Sequence, residues 1–369
     1  MKVTFISSMN AHNDIRIYRK FILSLSKYYD VTYYYSSDDE NVTNQENITF
    51  VNLGKPHSKI HRIIKLVKTI KEVKSSDVFI VTNPELLLIL PILRKKFPDS
   101  SIFFDMHEDF EESFQDKSKK FGKIMAKIYL WILDYLIKHK ILNFIFVTTP
   151  LINKKFAHYN NVEIIENYAP LMNLEFDKYK NPNDGMFEML FHGSISQIRG
   201  IDILLQSLPE LDNVRLHLVG NFNGNYKKIV YQRIRELNIE NKVIIKDSMN
   251  YLELFEYMKK MHVGIISYLP YKNHLVTRPN KLFEYMAASL PIICSNFPLY
   301  REVVNERCGL TYNPESKEEF IKCVNTLRNN TELYNQFRLN GYKDYVKKFN
   351  WSIEENKLIK IITNGGKSL

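Results

Sequence analysis

Apolar positions along the chain fall in short runs set between longer polar-rich segments with helical spacing. In the first half, "KVTFIS" (2–7), "DVTYYYS" (30–36), "TFVNL" (49–53), "DVFIVT" (77–82), "SIFFDM" (101–106), "NFIFVTT" (143–149) and "VEIIE" (162–166) predict strands. The pattern then restarts with "FEMLFHG" (187–193), "VRLHLVG" (214–220), "KVIIKD" (242–247), "HVGIISY" (262–268) and "LPIICS" (290–295). Strands alternating with helices predict βαβ units and parallel sheets. The stretch between the two series holds Pro170, Pro182 and an Asn-Asp-Gly turn, and reads as a linker over 171–186. The expected architecture is α/β: two Rossmann-like doubly wound domains, 1–170 and 187–349, with a cleft between them. Residues 350–369 are expected to cross back to the first domain. Neither domain carries GxGxxG, which disfavours a dinucleotide-dependent dehydrogenase.

The length of 369 residues suits two domains, and the 45% hydrophobic and 25% charged content is that of an ordinary globular chain. No run reaches the roughly 18 apolar residues that span a bilayer. Cys294, Cys308 and Cys323 form no CxxC pair. That pattern predicts neither a disulfide framework nor a structural zinc, and suits a reducing, cytoplasmic compartment. The net charge of +10 brings in anionic partners: phosphorylated substrates, anionic membrane or nucleic acid. Nucleic acid is disfavoured, because there is no basic tail, zinc-finger spacing or aromatic RNA-binding motif.

Three stretches carry candidate chemistry. In "TRPNKLFEYMAASLPIICS" (277–295), Pro279 suits the first turn of a helix. The free N–H groups there, with Arg278 and Lys281, favour a phosphate. Glu284 lies on the same side as Lys281 and can accept bonds from vicinal hydroxyls. A surface Lys–Glu pair fits the spacing equally well. In "FHGSISQIRGIDILLQSL" (191–208), Gly193 lets the backbone approach an anion and Arg199 can fork onto phosphate oxygens. An ordinary βα loop fits it too. In "FFDMHEDF" (103–110), His107, Glu108 and Asp109 follow a predicted strand, where cleft residues of such sheets gather. Asp14 and Arg16 are either ligand contacts or a helix cap beside a surface arginine.

"RGIDILLQSL", "HLVG", "VGIISY" and "PNKLFEYMAASLPIICSNFPLYREVV", in this order, resemble the C-terminal half of the retaining GT-B glycosyltransferases of family 4. "HNDIRIYRK", "NPELLLILPIL", "FFDMHEDF" and "IIENYAP" agree in the N-terminal half. The resemblance is to the members that build bacterial capsule, exopolysaccharide or cell-wall glycans. It implies a nucleotide-sugar donor, UDP-linked by preference, on the C-terminal domain and an acceptor on the N-terminal one. It implies transfer with retained configuration, no metal and no cofactor besides the donor. By the same resemblance, Glu284 is the second glutamate of an E-x7-E motif and holds the ribose. Arg199 replaces a phosphate-binding lysine, and His107 lies near the transferred sugar. Gly193, Ser194, Arg199, Arg278, Asn280, Lys281 and Glu284 make up the expected donor site, and His107, Glu108 and Asp109 the catalytic group. Two positions depart from the pattern: Val276 stands where the first glutamate belongs, and Ser194 where an arginine is common. Those departures keep open a non-catalytic binding protein, and the same fold allows a sugar-nucleotide epimerase or a phosphorylase. A phosphorylase is disfavoured, because the chain has no recognisable pyridoxal-phosphate lysine motif.

Two basic amphipathic segments add a possible partner. Residues 55–74 carry seven Lys or Arg with an apolar stripe of Ile60, Ile63, Ile64, Val67 and Ile70. Residues 117–140 run from lysines into "IYLWILDYLI" (128–137). Both fit either helices covering a sheet or docking on an anionic membrane to reach a lipid-linked acceptor.

Overall fold

The structure, a computed structural model, describes residues 1–39, 41–55, 58–117, 121–172 and 181–365. It divides into two compact units, Met1–Pro170 with Trp351–Leu369, and Leu171–Asn350. Most of the segment read as a linker, residues 173–180, lies outside the described residues.

Unit 1 holds strands β1 (Lys2–Ile6), β2 (Asp30–Tyr35), β3 (Ile48–Asn52), β4 (Val78–Val81), β5 (Ser101–Met106), β6 (Phe144–Val147) and β7 (Val162–Ile164). They form one parallel sheet in the order β3-β2-β1-β4-β5-β6-β7. Successive side chains point to opposite faces. Phe103 thus joins a core with Phe5, Phe21 and Trp351, while Phe104 joins the other with Phe79 and Leu133. The helix Trp351–Thr363 packs on the first of these faces. Its Trp351 ring lies 5.6 Å from Phe21, and the indole Nε1 donates to Ser24 Oγ at 2.8 Å.

Unit 2 holds β8 (Phe187–His192), β9 (Val214–Val219), β10 (Val243–Lys246), β11 (Val263–Ile266), β12 (Ile292–Ser295) and β13 (Gly309–Tyr312), parallel in the order β10-β9-β8-β11-β12-β13. The last strand was not expected from the sequence: "GLTY" is four residues long and starts on glycine. In both sheets the order reverses, between β1 and β4 and between β8 and β11. Crevices at such reversals open at the carboxyl ends of the strands.

The helix Asn280–Ala287 lies over β11 for a local reason. Gly264 has no side chain, and a Cβ there would stand 2.3 Å from the Tyr285 ring. Tyr285 therefore sinks onto the strand, and its hydroxyl reaches the Leu190 carbonyl at 3.0 Å. That contact fixes the face of the helix that Lys281 and Glu284 share.

Candidate functional site

The loop before Gly200 is tied down onto the end of β11. A Cβ on Gly200 would lie 1.8 Å from the Ser267 carbonyl oxygen, and its φ is +68°. Ser267 Oγ donates to the Arg199 carbonyl at 2.7 Å, and the Leu269 N–H donates to the Ile198 carbonyl at 3.0 Å. These contacts bring the Arg199 guanidinium over the Tyr268 ring, 4.0 Å from its centre. From the helix Asn280–Ala287, Lys281 Nζ donates to the same tyrosine's hydroxyl at 2.7 Å. The Lys281 ammonium also lies 5.3 Å from the Phe191 ring. A Cβ on Gly193 would meet it at 3.0 Å, so the glycine leaves it uncovered on that side.

Lys281 is only 9% exposed. The surface Lys–Glu pair that the spacing allowed is therefore corrected: Lys281 and Glu284 are both buried. Among the described residues neither Lys281 nor Arg199 makes an ion pair with a carboxylate. A buried cation without a paired counter-charge is costly. The helix N-terminus beside them has no side-chain cap, with Pro279 at the cap and Asn280 first in the helix. Its leading N–H groups carry partial positive charge to the same place.

Two histidines, which the sequence did not single out, complete the cluster. His192 ends β8 and is buried, with Nε2 3.3 Å from Glu284 Oε2 but off the line of a hydrogen bond. Burial, reinforced by the Lys281 charge, holds its imidazole well below the usual value, so it is neutral. His274 packs on Tyr268 with ring centres 4.7 Å apart. Burial lowers its pKa to about 4, with the Leu269 carbonyl opposing and the Arg199 and Lys281 charges assisting. The neutral ring donates Nδ1–H to that carbonyl at 2.8 Å, which leaves Nε2 an acceptor.

The remaining donor-site candidates are placed differently. Arg278 is held by Glu302 at 2.5 Å and by the Leu299 carbonyl at 3.4 Å. Ser194 is exposed and its Oγ donates to Asn223 at 3.2 Å. Val276 ends the short helix Lys272–Val276. The three cysteines are all buried and free.

In unit 1 the carboxyl ends of β1, β4 and β5 gather a second cluster. Arg16 is buried rather than on the surface, and its guanidinium meets Asp105 through Nη2–Oδ1 at 2.6 Å and Nε–Oδ2 at 3.0 Å. Asp14 takes the capping role, accepting from the Ile17 N–H at 2.8 Å. His107 follows β5, and its Nδ1 lies 3.0 Å from Thr82 Oγ1. Thr82 Oγ1 also faces two acceptors, the Asp105 carbonyl at 3.3 Å and Oδ2 at 3.5 Å. With its proton on either of them, the hydroxyl keeps a lone pair that can accept from Nδ1–H of His107. Asp109 does not orient His107. Its carboxylate caps the next helix at the Glu112 N–H, 3.2 Å, and pairs with Lys155 at 2.7 Å. Glu108 is half-buried beside His107, and Tyr168 is buried.

The amphipathic segments separate. In the helix Lys59–Glu72, Leu66 and Ile70 are buried and Ile64 is exposed, while the side chains of Ile60 and Ile63 lie outside the described residues. In the helix Phe121–Lys138, Tyr129, Leu133 and Leu136 face the core. Its other face shows Phe121, Ile124, Ile128, Trp131 and Tyr135 to solvent, with Phe121 and Trp131 each 67% exposed. No described helix is long and apolar enough to cross a membrane.

The fold is shared with solved structures. A sucrose-phosphate synthase from Thermosynechococcus elongatus superposes with a TM-score of 0.78 at 13% identity, covering 98% of each chain. Anabaena HepE in complex with UDP-glucose gives 0.75 at 14% identity over 99% of this chain and 100% of its own. A trehalose-6-phosphate protein from E. coli bound with UDP-2-fluoro glucose gives 0.71 at 11%, covering all of both chains. No curated protein matches the chain. The architecture is that of the GT-B glycosyltransferases, and residues 173–344 match the family described as "Glycosyl transferases group 1".

Proposed function

We propose that the protein is a glycosyltransferase that moves a sugar from a nucleoside-diphosphate donor, UDP-linked by preference, to a glycan or lipid-linked acceptor with retention. The observation that carries this reading is the pair of cations, Lys281 and Arg199, which among the described residues make no ion pair with a carboxylate, beside an uncapped helix at the carboxyl ends of β8 and β11. The family match over that unit and the UDP-sugars named with two same-fold structures support it. In this reading Lys281 and Arg199 hold the diphosphate, Glu284 the ribose hydroxyls, and His107 acts on the transferred sugar. The bond from the anomeric carbon to the diphosphate oxygen breaks, and that oxygen keeps the electron pair. The acceptor hydroxyl oxygen bonds to the same carbon from the same face and gives its proton to the departing diphosphate. Charge that develops on the diphosphate meets cations already in place. The chain's own residues meet that charge, so turnover persists in EDTA.

The acceptor side is assigned to unit 1, in bacterial surface-glycan synthesis on the cytoplasmic side. The exposed face from Phe121 to Tyr135, flanked by Lys123, Lys127 and Lys138, matches an anionic bilayer surface. A second copy of this chain would set those lysines against each other. No sedimentation with anionic vesicles at low salt would contradict that part.

A thermal-shift screen against UDP-, GDP- and ADP-sugars tests the donor, since a ligand of the folded state raises its melting point. With a competent donor and acceptor, E284A and H107A lose turnover; unchanged turnover in both contradicts the site. A non-catalytic nucleotide-binding protein is the second reading, and Val276 in place of an acid favours it. It predicts UDP binding with no turnover of any donor.

A further inference from the structure

We propose that Tyr268 is the positioning residue that sets Lys281 and Arg199 as one clamp for the two phosphates of a nucleoside diphosphate. The inference rests on the donor reading above. Tyr268 follows β11 and is buried. Its hydroxyl accepts from Lys281 Nζ at 2.7 Å, and its ring carries the Arg199 guanidinium at 4.0 Å. The ring is itself held by His274 at 4.7 Å and edge-on by Tyr300 at 6.4 Å. Its carbonyl accepts from Ser295 Oγ at 2.7 Å. One rigid aromatic thus fixes two long side chains that otherwise sample many rotamers.

The choice of a phenol has a physical reason. A carboxylate here would neutralise Lys281 and repel a phosphate. A phenylalanine would keep the ring under Arg199 and leave the ammonium without direction. The phenol orients one Lys281 N–H and leaves the charge for the ligand. Burial pushes the Tyr268 hydroxyl up, while Lys281 and Arg199 draw it down to below its ordinary value, so it lies within reach of both charges. Preorganised donors of this kind are worth more than the same groups left mobile.

The test is calorimetric titration of UDP and uridine into the full-length wild type, Y268F, K281M and the double variant, with a melting curve for each. Y268F is expected to weaken UDP about tenfold, the scale of a hydrogen bond to a charged group. Uridine binding stays within about twofold, and Y268F adds less than about twofold in the K281M background, because it acts through the lysine. Each of the following variant outcomes overturns the proposal. Y268F binds UDP like wild type; it weakens UDP and uridine equally; it keeps its full effect without Lys281; or K281M retains the wild-type preference for UDP. A wild type with no preference for UDP over uridine removes the donor reading, and the clamp with it. A wild type that prefers UDP with an unaffected Y268F removes only the clamp.

Discussion

Each unit sets cations at the carboxyl ends of a parallel sheet, and the two balance that charge differently. In unit 1, Arg16 meets the fully buried Asp105 through hydrogen bonds from Nε and Nη2, the shortest at 2.6 Å. In unit 2, Lys281 and Arg199 have a phenol hydroxyl and a ring face in the same position. The first arrangement is closed: the charge is answered inside the chain, and the pair fixes the strand ends around Thr82 and His107. In the second, no carboxylate among the described residues pairs with either cation, and the proposed donor site gives that balance to a ligand. Burial of charge is therefore not a mark of function by itself; the identity of the partner is what separates scaffold from site.

The comparison breaks most visibly at Asp105. D105N leaves the Arg16 guanidinium buried without its counter-charge, which costs about 3–5 kcal/mol. Urea unfolding should show that loss, and a change under about 1 kcal/mol would mean the pair is not closed. K281M is the converse. It removes a desolvated charge along with one hydrogen bond, so stability changes little, while UDP affinity falls about 100-fold, near 3 kcal/mol. A variant destabilised as much as D105N would make Lys281 a scaffold residue.

Acid sharpens the contrast next. Above pH 6.5 His274 is neutral whether the chain is folded or not. Below it the unfolded chain takes a proton that the folded one refuses until about pH 4. Stability is therefore lost as the pH falls through that window, by about 3 kcal/mol at roughly 1.4 per pH unit. H274Q should flatten the slope, and an unchanged slope would show that the ring is not held neutral.

The smallest effect belongs to Arg278. Glu302 is more than half exposed, so E302A should cost under about 1 kcal/mol. UDP affinity should stay within about twofold, and a larger change would place Arg278 on the diphosphate.

What the sequence showed follows from how far each signal travels along the chain. The strands were readable because their β-branched and aromatic runs are local, as in "SIFFDM" at β5. "GLTY" at β13 was too short to register. Lys281 and Glu284 were readable because three residues on a helix fix a shared side, but their burial depends on Tyr285 settling against Gly264. Tyr268 was hidden for the same reason. Its partners are 13 residues on and across a separate loop, brought together by the approach of Gly200 to Ser267. Arg16 and Asp105 are 89 residues apart, so neither the ligand-contact nor the surface reading of Arg16 foresaw their pairing. His192 did carry a faint signal, a histidine ending a strand just before Gly193.

In the proposed function the cations of unit 2, unpaired with any described carboxylate, are there for a diphosphate. Titrating UDP and uridine into the wild-type protein at one low ionic strength tests it directly, because the two ligands share base and ribose. The account predicts that UDP binds at least about 100-fold tighter than uridine, the scale of two charged contacts. Equal affinities, within about twofold, would contradict it.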